Sequence, residues 1–182
     1  MLPDFAGMCG ARLGDTADVD LAAGIALHHA TDAAFHRLAP VVALMRELDE
    51  RLERLGCARG PRRAVAHVGV ELLLDGVLVA EPAYRASYLA GIGCASAATW
   101  RDADGPARFA VLVERLRTYG VPDDLRAPDA IASRLARVLG DRPLLAPSPA
   151  DLRAIARALA DQQPRVAVAA EAVMRGVRAA LA

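Results

Sequence analysis

The sequence predicts an all-α protein: a helical bundle of about seven helices that forms a single domain over residues 1–182. Ala, Leu, Arg and Glu dominate the chain, and these residues favour helices. Alternating runs of Val, Ile, Thr and aromatic residues, which are typical of strands, are nearly missing. A length of 182 residues is that of one ordinary domain. We therefore expect helices packed on one another, without a sheet.

Proline, glycine and capping residues predict where the helices begin and end. The first helix, at about 18–38, stops before Pro40, since the residue before a proline avoids helical geometry. Ser148 and Pro149 predict a helix start, with Ser148 as the cap, and a proline at 164 predicts a break. The other predicted helices cover about 40–56, 61–79, 82–98, 107–119, 127–139 and a last segment that runs to the C-terminus. Residues 1–17 show no clear periodicity and are predicted to form an irregular segment, either a loop or a short helical turn.

Composition excludes several classes of protein. Apolar residues make up 54% of the chain, but no stretch of about 18 residues lacks charge, so we expect no membrane span. No basic segment precedes an apolar run at the start, which predicts a cytoplasmic protein. The 22 basic and 22 acidic residues balance, so nothing favours nucleic acid as a partner. Three widely spaced cysteines predict free, buried thiols: Cys9, Cys57 and Cys94.

All four histidines of the chain lie between positions 28 and 67. Three of them join acidic residues in two stripes with i, i+4, i+8 spacing, which are His28, Asp32 and His36, then His67, Glu71 and Asp75. Residues at this spacing lie on one side of an α-helix. If the two helices face each other, the stripes form a His/carboxylate cluster of the kind that holds one or two divalent metal ions.

Each stripe contributes one pair of metal-ligand residues. Imidazole and carboxylate both bind divalent metals, and the sequence pairs His28 with Asp32 and His67 with Glu71. We predict these four residues as ligands of a divalent metal ion, with manganese or iron favoured over zinc. Polar residues on such apolar helices either point inward as a paired group or face solvent as a thin strip. Burial of the carboxylates without partners would be costly, so the inward arrangement needs a metal or mutual hydrogen bonds.

Three further residues extend the predicted centre. His36 and Asp75 lie one turn beyond the ligand pairs, where each is a further ligand, a residue that orients a ligand, or the general base. His29 points about 100° away from His28, toward either the surface or a ligand-orienting position. Asp75 is the predicted catalytic base among them.

Basic residues and thiols give weaker signals. Three arginines precede the second stripe by one turn, and they either receive a phosphate or an acidic partner or form a solvated helix start: Arg59, Arg62 and Arg63. Cys57 lies near these arginines and is interpreted as a core or loop-end thiol, with a reactive thiol as the alternative.

Two segments together resemble one known family. Met-Leu-Pro-Asp4-Phe5, and then Ala-Gly-Ile-Ala-Leu-His28-His-Ala-Thr-Asp32, resemble the acyl carrier protein phosphodiesterase family over about the first 80 residues. Those proteins are helical, metal-dependent enzymes related to the HD-domain phosphohydrolases. The resemblance implies an HD-domain-like fold, with Asp4, His28 and Asp32 at family motif positions. The chain departs from the family at Glu71, where Glu-Leu replaces the expected Asp-His pair.

Stripes and resemblance together predict a metal-dependent phosphoester hydrolase. The metal would polarise the phosphoryl group and activate a water, with Asp75 and Asp4 as catalytic carboxylates. The resemblance implies an acidic carrier protein as partner, and a small phosphoester is the other expected substrate. The alternatives are a helical di-metal redox or storage protein, and a non-catalytic protein that dimerises through the helix at 82–98.

Overall fold

The computed structural model describes residues 2–93 and 98–182, and within these ranges the chain is helical without a strand. Leu13 and Trp100 form an isolated antiparallel β-bridge within these ranges. The all-α prediction is therefore confirmed. Across the described residues, no helix combines the length and the apolar character that crossing a membrane requires.

Eight α-helices lie within the described ranges. Residues 2–8, which the sequence assigns to an irregular segment, form the first of them. A 3-10 turn, Asp123–Arg126, precedes α7. In chain order the helices are α1 Leu2–Met8, α2 Val19–Phe35, α3 Ala39–Arg54, α4 Arg59–Leu78, α5 Pro82–Gly93, α6 Gly105–Tyr119, α7 Pro128–Leu139 and α8 Pro149–Leu181. Cys94, one of the three predicted buried thiols, lies outside the described residues.

The chain, for which the sequence predicts one domain, divides into two compact units. The first unit comprises Met1–Ala33 and Glu81–Pro122, and the second comprises Ala34–Ala80 and Asp123–Ala182. In the first unit α1 and α5 both pack on α6. Its core consists of Phe5, Ile92, Phe109 and Val113.

The second unit is built from α3, α4, α7 and α8 around a continuous apolar core. Each helix contributes apolar residues at three- and four-residue spacing, which form one face of a helix. Burial of a leucine side chain stabilises the fold by roughly 1.5–3 kcal/mol. The fully buried positions include Leu48 and Leu52 of α3, Val65 and Leu73 of α4, Ile131 and Leu135 of α7, and Ile155 and Leu159 of α8.

Helix α8 continues through Pro164, so the predicted break at this proline is wrong. A proline inside a helix removes one hydrogen bond and costs about 3 kcal/mol. Leu159 and Val166, which flank it, are almost completely buried in the core of the second unit. Their burial offsets the cost, because interrupting the helix would withdraw both apolar side chains from that core.

The start of α8 holds the start of α4 in place. Ser148 caps α8, as the sequence predicts, and the structure adds a reciprocal hydrogen bond from its backbone to Asp151. The other carboxylate oxygen of Asp151 accepts a hydrogen bond from the backbone N–H of Ala58, the residue before α4, at 2.8 Å. Burial alone would raise the pKa of Asp151, but the hydrogen bonds from Ala58 and Ser148 outweigh it and lower this pKa to about 2.

Candidate metal centre and arginine groove

Three predicted residues of the second unit come together in a metal-ligand cluster. His36, His67 and Glu71 each place one ligand atom so that all three atoms lie within 4.8 Å of one another. The Oε1 atom of Glu71 lies 3.4 Å from Nε2 of His36 and 3.3 Å from Nε2 of His67. Two imidazole nitrogens therefore converge on one carboxylate oxygen.

The spacing of these atoms is compatible with ligation of one metal ion. Two ligand atoms that each lie about 2.1–2.2 Å from one metal are separated by roughly 3.0–3.6 Å, depending on the coordination geometry. The distances from Glu71 to both histidines, 3.4 and 3.3 Å, lie in this range. The rings of His36 and His67 are stacked, with centroids 4.5 Å apart and 13° between their planes.

Local structure explains how the three residues meet. His67 and Glu71 stand one turn apart on α4, which orients both side chains to the same side. His36 follows the last residue of α2, in the turn that leads into α3. Its neighbour Phe35 packs against the core of the second unit and contacts the His36 ring edge-on, at 5.1 Å between centroids. This anchoring fixes the position of His36 relative to α4.

The four predicted ligands divide between the two units. His67 and Glu71 belong to the second unit, whereas His28 and Asp32 lie on α2 in the first. There Nε2 of His28 lies 3.5 Å from Oδ1 of Asp4, the other predicted catalytic carboxylate. Burial lowers the pKa of His28, against the opposing effect of the Asp4 charge. Asp32 is exposed on the same helix.

The remaining predicted site residues are solvent-accessible. His29 is exposed, and its ring contacts His28 edge-on at 5.3 Å between centroids. Asp75 is exposed on α4, one turn beyond Glu71. His36, which the sequence offers as an additional ligand or orienting residue, is thus the predicted residue that meets both His67 and Glu71.

An open groove of about 720 Å³ begins at His67 and extends toward the start of α4. Arg59 and Arg63 line it, and both are exposed. Arg62, the third predicted arginine, faces other partners: its guanidinium pairs with Asp49 at 3.1 Å and with Glu53. Of the three predicted arginines, Arg59 and Arg63 therefore line the groove, and Arg62 does not.

The opposite wall of the groove comes from the segment between α7 and α8. It contributes Arg142, Leu144 and Leu145. Gly60 allows this wall to approach α4, because a Cβ atom at that position would overlap the carbonyl oxygen of Leu144. Sequence patterns did not indicate Arg142, since only the packing of that segment against α4 brings it beside Arg59 and Arg63.

Comparisons with known proteins gave no relative: no family model, no curated protein and no solved structure matches this chain. Two imidazoles and one carboxylate form a donor set for a divalent metal with open coordination positions. The adjoining arginines provide planar, permanently charged groups that suit phosphate and carboxylate.

Proposed function

We propose that this protein is a metal-dependent phosphoester hydrolase of the cytoplasm, with His36, His67 and Glu71 as the core of its metal centre. One observation carries the proposal: His67 belongs both to the metal-ligand cluster and to the lining of the arginine groove. An ion at the cluster would therefore contact a substrate whose anionic group is bound by arginine. A metal-dependent phosphoester hydrolase combines a Lewis acid with groups that neutralise the phosphoryl charge in this way.

The proposed role of each residue follows from its position. His36, His67 and Glu71 would hold a divalent metal ion, which would supply Lewis acidity toward the phosphoryl group and would activate a water molecule. Arg63 lies one turn before His67, about 6 Å along α4, and would neutralise charge on the phosphoryl group. Asp75, one turn after Glu71, would take the proton of the attacking water. The water oxygen bonds to phosphorus as the bond to the leaving oxygen breaks.

The resemblance to the acyl carrier protein phosphodiesterases agrees with this proposal. It adds an HD-domain-like arrangement of the helices, an acidic carrier protein as partner, and His28, Asp32 and Asp4 as participants. The arginines of the groove supply the positive charge that docking of an acidic carrier requires. Manganese or iron remains the expected metal.

Metal binding is the first test. We expect the purified protein to bind one equivalent of Mn²⁺ or Fe²⁺ by calorimetry, and His67→Ala and Glu71→Gln to weaken binding at least about tenfold. His29→Ala is the matched control, because this exposed histidine lies outside the cluster. Equal affinity in all variants would refute the centre. The variants His28→Ala and Asp32→Ala then show whether the residues of the first unit participate.

Hydrolysis is the second test. With Mn²⁺ and bis-p-nitrophenyl phosphate as substrate, we expect turnover that chelator abolishes and that Glu71→Gln lowers at least about 100-fold. Asp75→Asn should lower kcat more than it raises KM, because a proton acceptor contributes to the chemical step. A protein that binds metal and hydrolyses no phosphoester would contradict the proposal.

The donor set also favours a second candidate. Two histidines and one carboxylate with open positions are the ligands of non-haem iron oxygenases. A redox role of this kind predicts that the Fe²⁺-loaded protein consumes dioxygen when ascorbate is added as the electron donor, whereas the Mn²⁺-loaded protein does not. An oxygen electrode distinguishes it from the hydrolase.

A further inference from the structure

We infer that the groove beside His67 selects phosphoesters whose organic part is a flexible aliphatic chain. This inference rests on the proposed function for its claim that the bound molecule is the substrate. Its observations are separate, because they concern the groove lining and not the metal ligands. With a volume of about 720 Å³, the groove has the size of a small-molecule site.

Charge in the groove identifies the anionic part of the ligand. Arg59, Arg63 and Arg142 all line it, and none of the three has an ion-pair partner among the described residues. Many other arginines of the second unit are paired with carboxylates, such as Arg62 with Asp49. Three guanidinium groups without an ion-pair partner around one groove favour a ligand with negative charge. Phosphate is well suited, because its oxygens accept two parallel hydrogen bonds from one planar guanidinium group.

The rest of the lining identifies the organic part. Its uncharged side chains are aliphatic: Ala64, Val68, Leu139, Leu144 and Leu145. His67 is the single aromatic ring among the lining residues. A nucleotide would require a stacking partner for its base, and a sugar phosphate would require hydroxyl and amide groups around its ring. An aliphatic chain requires neither, and gains about 0.8 kcal/mol for each buried methylene.

The order of groups along α4 gives the orientation. Arg59, Arg63, His67 and Glu71 follow one another at intervals of four residues, about 6 Å apart along one face. A phosphate between Arg63 and His67 would therefore be next to the metal-ligand cluster. The chain would then lie over the aliphatic side chains of the groove, between α4 and Arg142.

Calorimetry with chelator present tests the inference without turnover. The probes are octyl phosphate, ethyl phosphate and octyl glucoside, all below their micelle concentrations. We expect octyl phosphate to bind at least about tenfold more tightly than ethyl phosphate, since several methylenes are buried. Octyl glucoside should bind at least tenfold more weakly than octyl phosphate. Equal affinities for octyl and ethyl phosphate, or for octyl phosphate and octyl glucoside, would overturn the inference.

Variants assign the binding to the groove. Arg63→Gln and Arg142→Gln should each weaken octyl phosphate about tenfold, as expected for loss of a charged hydrogen bond. Leu144→Ser, at an 87% exposed position where folding is not at risk, should weaken octyl phosphate more than ethyl phosphate. Arg157→Gln is the matched control, an exposed arginine of α8 outside the groove. An equal loss in Arg157→Gln would overturn the assignment to this groove.

Three further results separate the hypotheses and the ligand sources. Octyl phosphate binding in a protein that binds no metal would refute the proposed hydrolase and leave this inference standing. Phosphoester turnover without preference for the octyl chain would refute only the inference. We expect no cosedimentation with phosphatidic acid vesicles. Cosedimentation that depends on Arg63 would overturn the assignment to a free ester in favour of a bilayer lipid.

Discussion

The side chain of Asp151 joins two helix starts, because one of its oxygens accepts the N–H of Ala58 at 2.8 Å while the other accepts hydrogen bonds from Ser148. All of these bonds favour the ionised form of the carboxylate. The position of α4, which carries His67, Glu71 and two arginines of the groove, therefore depends on one buried charge.

Acid should weaken this connection. The pKa of Asp151 is lowered from 3.8 to about 2 in the folded protein, so its ionised form stabilises the fold by about 2 kcal/mol. That contribution is complete above pH 3.8 and is lost as the pH falls through 2. Urea unfolding at pH 7 should show Asp151→Asn about 2 kcal/mol less stable than the native sequence, and at pH 3 the difference should shrink by about 1 kcal/mol. The control is Asp129→Asn, at the start of α7. If the free energy of unfolding of Asp151→Asn differs from that of the native sequence by the same amount at pH 7 and pH 3, the prediction is contradicted.

A methyl group at Gly76 should destabilise the second unit. Its Cβ would overlap the carbonyl oxygen of Leu125, in the 3-10 turn that packs against α4. We expect Gly76→Ala to lower the free energy of unfolding by about 1–3 kcal/mol, despite the better helix propensity of alanine. Gly24→Ala is the matched control in α2, because nothing lies within 4 Å of its Cβ and the fold should gain up to about 1 kcal/mol. If Gly76→Ala and Gly24→Ala change the stability equally in thermal unfolding, helix propensity alone determines the effect and the prediction is contradicted.

The thiol of Cys57 should be inert in the folded protein. Burial, followed by the hydrogen bond and the charge of Asp151, raises its pKa to about 12, so almost no thiolate exists at pH 8. Timed iodoacetamide labelling with peptide mass spectrometry should modify the partly exposed Cys9 first. Cys57 should react only at the rate of unfolding. In urea, Cys9 and Cys57 should be labelled at equal rates. Rapid labelling of Cys57 in the native protein would support the alternative of a reactive thiol.

Replacing Gln162 by methionine should stabilise the fold. The amide is fully buried, its Nε2 donates to the carbonyl of Leu44 at 3.3 Å, and its Oε1 has no hydrogen-bond partner. An unsatisfied buried acceptor costs about 1–3 kcal/mol, more than one long hydrogen bond contributes. Methionine has a similar shape, so we expect Gln162→Met to raise the free energy of unfolding by about 1 kcal/mol. A loss of stability in chemical denaturation would instead indicate a buried water at Oε1.

Helix type and most helix starts could be predicted from local sequence. The Ser148 cap and its partner Asp151 form the predicted start of α8, because a capping interaction involves only neighbours in the chain. The prediction of a helix break at Pro164 is wrong for the opposite reason. Its cost is local, whereas the burial of Leu159 and Val166 that offsets it depends on the other helices of the second unit.

The candidate site, too, could be predicted only as far as it depends on residues that are neighbours along one helix. The spacing of His67 and Glu71 predicted that they share a helix face, and they do. Which histidine would join them depended on the path of the chain between α2 and α3, which no periodicity records. Arg142 lies on the far wall of the groove for a similarly non-local reason, the close approach that Gly60 permits.

The face of α4 that carries Arg59, Arg63, His67 and Glu71 sets the distance between anion binding and metal chemistry by helical rise alone. The distance between Arg63 and His67 along α4 does not depend on how any two helices pack, whereas His36 and Arg142 reach the same site from other segments. Inserting a single residue between Arg63 and His67 would rotate the arginines by about 100° relative to the ligands of α4, and would thereby separate anion binding from metal chemistry.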